Sequence, residues 1–262
     1  MFSVEEHDAA RDAIVAMAST DSRVTAAAVV GSLADGPGDR WSDLDLTFAV
    51  ADEVPVPDVL SDWTRELEQR LDAAALFDLP VRATIYRVFL LPGSLQVDLS
   101  FTPAAQFRAA GPRFRLLFGE AGEPVHDLPP SPSHLFGLAA HHAVRARVCI
   151  ERRRYWQAAY WIDELRGYAL TLACLRRGLN PRYGRGFDDL PSDVLATYGQ
   201  AVVPSIEREP LLRALRAAIE CLLGESAQAG DVAARVAPRL RELAGSDVRR
   251  RPEPRSRSAA GR

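Results

Sequence analysis

Apolar residues recur at helical spacing from Val4 to Ser19, which predicts an amphipathic helix at the start of the chain. Val24 to Val30, VTAAAVV, is a short continuous apolar run that stops at Gly31, the pattern of a buried strand. From Asp43 to Val50 the chain alternates strictly. Leu44, Leu46, Phe48 and Val50 project to one face, and Asp43, Asp45 and Thr47 to the other. Helical spacing returns in DVLSDWTRELEQRLDAA, Asp58 to Ala74, where Leu60, Trp63, Leu67 and Leu71 share a face. A hairpin is predicted next, from Val81 to Leu91 and from Leu95 to Phe101. Its arms meet at Pro92, Gly93 and Ser94, with Gly93 able to take the positive φ of a tight turn. In the second arm Leu95, Val97, Leu99 and Phe101 point one way, while Gln96, Asp98 and Ser100 point the other.

Beyond the Pro- and Ser-rich stretch DLPPSPSH, Asp127 to His134, no strand pattern remains. Leu135 to Ile150, Arg154 to Gly178, Leu211 to Leu223 and Asp231 to Leu243 all read as helices. The last stretch, SDVRRRPEPRSRSAAGR, offers no face to pack and reads as a disordered tail. The expected organisation is an α+β domain over 1–128, a helical domain over 129–246 and the Arg-rich tail over 247–262.

Composition narrows the chemistry. The 262 residues carry a net charge of −3, and the tail from Arg249 holds six arginines against one acid, which leaves about −8 on the remainder. An acidic body with no basic groove argues against nucleic acid as a partner. All 32 basic residues are arginine, which excludes a P-loop lysine and a Schiff-base lysine. Cys149, Cys174 and Cys221 are far apart and odd in number, so they predict core positions in a reducing compartment rather than a disulfide framework or zinc site. The first residues are acidic where a signal peptide is basic, and no run approaches the roughly 18 apolar residues of a membrane span. A cytoplasmic protein with no membrane partner is expected.

The two aspartates of the alternating strand are the feature that composition does not explain. Residues i and i+2 project from the same strand face about 7 Å apart, and two carboxylates so placed repel unless cations lie between them. Mg²⁺ bound to triphosphate oxygens resolves such a pair, because Mg²⁺ prefers one or two carboxylates plus phosphate to an all-protein cage. Two such ions clamp the attacking and leaving oxygens of an in-line displacement. Asp98, on a neighbouring strand, supplies a third carboxylate, suited to a metal and to the proton of an attacking hydroxyl. Gly31 and Ser32 approach from the other side. A glycine after a strand admits close approach of a phosphate, and N–H groups of a turn opened by Ser32 would face it.

These residues resemble the motif of the DNA polymerase β-like nucleotidyltransferase superfamily. Its elements read here as Val30, Gly31 and Ser32, ten intervening residues, Asp43-Leu44-Asp45-Leu46, and Asp98 in LQVDLSF. The resemblance covers roughly residues 20 to 125. It implies a small mixed β-sheet with flanking helices, followed here by an all-α helical bundle, as in bacterial aminoglycoside and lincosamide nucleotidyltransferases. It further implies Mg²⁺ as cofactor, ATP or another NTP as donor, and transfer of a nucleoside monophosphate to a hydroxyl of a small, antibiotic-like acceptor. Asp43, Asp45 and Asp98 would be both catalytic and metal-binding, Gly31 and Ser32 nucleotide-binding, and the helical domain would help form the acceptor pocket. LADGPGDRW, Leu33 to Trp41, carries two glycines and a proline, so any helix after Ser32 is short.

Other readings stay open beside this one. A lone D-x-D is ordinarily a solvated hairpin; the Gly-Ser pair and the third acid set this one apart. The acceptor could instead be a protein side chain, or the chain could be a non-catalytic nucleotide-binding module. On the helix after Arg154, Trp156, Tyr160, Asp163, Gly167, Leu170 and Cys174 share one stripe. Asp163 there is a candidate acceptor-binding acid, although a structural pair with a nearby arginine is favoured. The aromatic residues of this helix are expected in the core, and His141-His142 in helix packing or at the surface.

Overall fold

Alternation in the first half of the chain produces a sheet with one oily face. In the structure, a computed structural model that describes residues 1–34, 36, 41–109, 111, 113–125 and 130–245, the chain divides into two compact units, Met1–Leu128 and Pro129–Arg262.

In the first unit α1 (Val4–Thr20) leads into β1 (Val24–Val30), a single 3₁₀ turn at Gly31–Ala34, and β2 (Leu44–Val50). Then follow α2 (Val56–Leu71), β3 (Ala74–Val81), β4 (Thr84–Leu91), β5 (Leu95–Pro103) and β6 (Phe114–Phe118). The six strands lie in the order β3-β4-β5-β2-β1-β6. All neighbours are antiparallel except β2 and β5, which run parallel because α2, β3 and β4 intervene in the chain. This is the mixed sheet with flanking helices that the motif resemblance implies.

Leu44, Leu46, Phe48 and Val50 of β2, with Leu95, Val97, Leu99 and Phe101 of β5, are all buried in one core with Ile14 of α1 and Leu60, Trp63 and Leu67 of α2. Phe48, Trp63 and Phe101 pack there in tilted and edge-to-face contacts at centroid distances of 4.9 to 5.2 Å. Ser3 caps α1 in a reciprocal capping box with Glu6. Gly93 takes φ 74°, as its turn requires, and a Cβ on it would strike the backbone of Phe2 at 2.9 Å.

One expectation needs correction. The predicted arm from Val81 is two strands: the chain reverses at Arg82, in the left-handed region at φ 56°, and Ala74 to Val81 forms the separate strand β3. No glycine marks that turn, and β3 is exposed along its whole length, so neither punctuation nor a buried face signals it. Its Pro80 is tolerated because β3 is the edge strand. The short β6, at the opposite edge, carries no alternation strong enough to predict.

In the second unit α3 (Pro132–Glu151), α4 (Tyr155–Leu175), α6 (Arg208–Gly224) and α7 (Gly230–Gly245) correspond to the four expected helices, and a short α5 (Ser192–Gly199) adds a fifth. Their core holds all three cysteines. Arg176 forks onto the buried Glu225 carboxylate with bonds of 2.7 and 2.9 Å, and Gln228 donates to the same group. The tail over 247–262 and the start of DLPPSPSH lie outside the described residues. Among the described residues no helix is long and apolar enough to cross a membrane.

Candidate active site

The face of the sheet opposite the main core carries the acids. Strand alternation puts Asp45 of β2 and Asp98 of β5 on that face, and the parallel register places them directly side by side. Asp43 stands just before β2. All three are half-buried, and each offers one carboxylate oxygen such that these atoms lie within 4.8 Å of one another. Three convergent anionic oxygens are the donor chemistry of a hard divalent cation such as Mg²⁺, which takes carboxylate and phosphate oxygens in preference to nitrogen or sulfur. The residues therefore fit the cofactor that the motif implies.

Asp98 is perturbed by its surroundings. Burial pushes its carboxyl above the ordinary range, the amide of Gln96 pulls it back, and the negative charge of Asp43 adds to the rise. Gln96 Nε2 donates to Asp98 Oδ1 at 2.9 Å, which fixes one oxygen of the carboxylate. In the sequence, the one signal for Gln96 is its place two residues before Asp98 on the same strand face.

Gly31 ends β1 at φ 72° and opens the 3₁₀ turn. A Cβ built on it would lie 2.1 Å from Asp45 Oδ2. The backbone is thus pressed against the carboxylate itself, and only glycine leaves Asp45 its present orientation. Ser32 is the second residue of the turn rather than its first, and four residues build no appreciable helix dipole. Arg115 of β6 donates to the carbonyl of Leu33 at 3.3 Å and ties the turn to the sheet. Residues 35 and 37–40 of the LADGPGDRW stretch lie outside the described residues.

Asp163 lies in the helical unit on α4. Its carboxylate is 64% exposed and paired with Arg166 one turn on, the arrangement that the sequence favoured. The aromatic expectation for this helix fails in part: Trp156 and Tyr160 are exposed, because the first turns of α4 turn that stripe toward solvent. Trp161 packs instead on His142, which is buried, with centroids 4.8 Å apart, while His141 is exposed.

No protein-family model and no curated protein matches this chain. Among solved structures it is similar to the crystal structure of an aminoglycoside 6-adenyltransferase from Bacillus subtilis, at 11% identity over 94% of this chain and 100% of that one, with a TM-score of 0.40. At that identity and score the likeness is one of broad outline, and the functional case stands on the site.

Proposed function

We propose that this chain is a Mg²⁺-dependent nucleotidyltransferase that moves a nucleoside monophosphate, AMP from ATP, onto a hydroxyl of a small acceptor of the antibiotic type. One observation carries the reading: Asp43, Asp45 and Asp98 bring carboxylate oxygens within 4.8 Å of one another, with Asp45 and Asp98 on strands paired in register. The motif spacing from Gly31 and Ser32 to Asp43 supports it independently.

Asp43, Asp45 and Asp98 would hold Mg²⁺, which would neutralise the triphosphate and lower the pKa of the acceptor hydroxyl. The remaining work falls to the chain. Gly31 admits close approach beside Asp45, and the N–H groups of the Gly31–Ala34 turn, with the Ser32 hydroxyl, hold phosphate oxygens. The acceptor oxygen bonds to the α-phosphorus as the α–β phosphoanhydride bond breaks, and pyrophosphate leaves. The hydroxyl proton passes to Asp98.

Pyrophosphate release from ATP and Mg²⁺ is measured across aminoglycosides, lincosamides, plain sugars and nucleosides. At least one class is expected to turn over, and Asp45→Asn to abolish it while circular dichroism is unchanged. Full turnover by Asp45→Asn would refute the assignment.

A further inference from the structure

The carboxylate row continues across the sheet into apolar side chains. Asp45 pairs with Asp98, Asp98 with Val88 of β4, and Val88 with Phe77 of β3, so these four residues form one line across four strands. Paired residues project to the same face. The neighbouring positions on that face are Leu79 of β3, and Leu90 of β4 opposite Gln96. Phe77 and Leu79 are 56% and 53% exposed, and Leu90 is 40% exposed. Strand spacing puts the Phe77 backbone about 10 Å from that of Asp98. Val88, in the middle of the line, is buried, so the exposed hydrocarbon on this face is that of Leu90 on β4 and of Phe77 and Leu79 on β3. Large apolar side chains left in water mark a surface that takes a ligand or partner.

The strand order says which ligand. Gly31 flanks Asp45 from the β1 side, and Phe77, Leu79 and Leu90 flank Asp98 from the β4 and β3 side. We infer that the Phe77–Leu79–Leu90 face is the acceptor subsite, and that the acceptor carries its hydroxyl on a flat apolar or aromatic body. This inference rests on the nucleotidyltransferase reading and deepens it. The phosphate side of the carboxylates is the glycine side, which leaves the acceptor to reach Asp98 from its other flank. That flank presents hydrocarbon, with the Gln96–Asp98 pair as its polar border. An acceptor that is polar all round would leave Phe77 and Leu79 uncovered, whereas one with an apolar face covers them and delivers its hydroxyl to Asp98.

The test compares phenyl β-glucoside with methyl β-glucoside, which share every hydroxyl and differ in one apolar group. Equilibrium binding of each is measured with Mg²⁺ and a non-hydrolysable ATP analogue present, for the native protein and for the double variant Phe77→Ser/Leu79→Ser. Both side chains are more than half exposed, so the variant is expected to keep its thermal midpoint. The native protein is expected to prefer the phenyl glycoside about tenfold, the factor for taking one phenyl face out of water, and the variant to lose that preference. No preference in the native protein, including no binding of either glycoside, overturns the inference, as does a preference that survives in the variant. A dimer seen by light scattering in the native protein and abolished in the variant would give this face to a second copy, which also overturns it. Binding of the ATP analogue that ignores Mg²⁺ would instead count against the nucleotidyltransferase reading, and the glycoside comparison would remain readable.

Discussion

Replacing Gly31 with alanine perturbs two things that a double-mutant cycle separates. Its φ of 72° lies in the left-handed region, where a Cβ adds about 1–2 kcal/mol. The same Cβ would stand 2.1 Å from Asp45 Oδ2 and 3.0 Å from Asp45 Cγ. The carboxylate must then turn away from its rotamer, which adds about 0.5–1.5 kcal/mol. Gly31→Ala is therefore expected to destabilise the protein by about 2–3 kcal/mol. In an Asp45→Ala background Oδ2 and Cγ are gone, and the nearest remaining atom of residue 45 is its Cβ at 3.4 Å, an ordinary contact. Only the backbone part of the cost should remain there. The expected coupling between the two sites is thus about 1 kcal/mol. Urea unfolding of the four proteins measures it, provided the denaturant slopes agree. In the single variant the turned carboxylate should also lower turnover on the order of 100-fold, through displacement of one member of the site. Equal costs of Gly31→Ala in the two backgrounds would show that Asp45 and Gly31 do not press on each other, and would remove the physical reason for a glycine there.

Two further predictions concern pH. Because Asp98 holds its proton more tightly folded than unfolded, its contribution favours folding below the ordinary carboxylate pKa and is lost as pH rises through the raised value. Asp98→Asn in chelator is thus expected to raise the thermal midpoint at pH 7 and to lose that advantage below about pH 4; a midpoint lowered at pH 7 would contradict the burial argument. Asp21 behaves oppositely. Bonds from Arg23 at 2.8 and 2.9 Å, with one from Trp63 Nε1 at 2.9 Å, hold its carboxyl down to about 2. Its stabilisation is present above the ordinary pKa of 3.8 and fades as pH falls toward 2. Asp21→Asn should destabilise by about 2 kcal/mol at pH 7 and by little near pH 2, read from urea midpoints across that range; a cost independent of pH would sink the assignment.

Much of the sheet was legible because burial on one face imposes a period of two. Leu44, Leu46, Phe48 and Val50 could be assigned to the core without coordinates, and their neighbours Asp43 and Asp45 to the other face. The same rule failed for β3, where both faces are exposed and no alternation is enforced. On α4 the aromatic residues divide between solvent, at Trp156 and Tyr160, and packing, at Trp161. Helical spacing shows which residues share a face, and only the neighbouring helices decide which face is covered.

The local pattern by itself determined that two carboxylates share a strand face, that a third lies on a later strand, and that a Gly-Ser turn precedes them. Each of these follows from nearest-neighbour geometry along the backbone. What only the tertiary structure decided is that Asp45 and Asp98, 53 positions apart in the chain, stand side by side in register. It decided too that Gly31 is pressed against Asp45, and that Gln96 holds one Asp98 oxygen. Parallel pairing of β2 with β5 depends on how the intervening helix and hairpin pack, a long-range balance of buried area that no window of sequence contains.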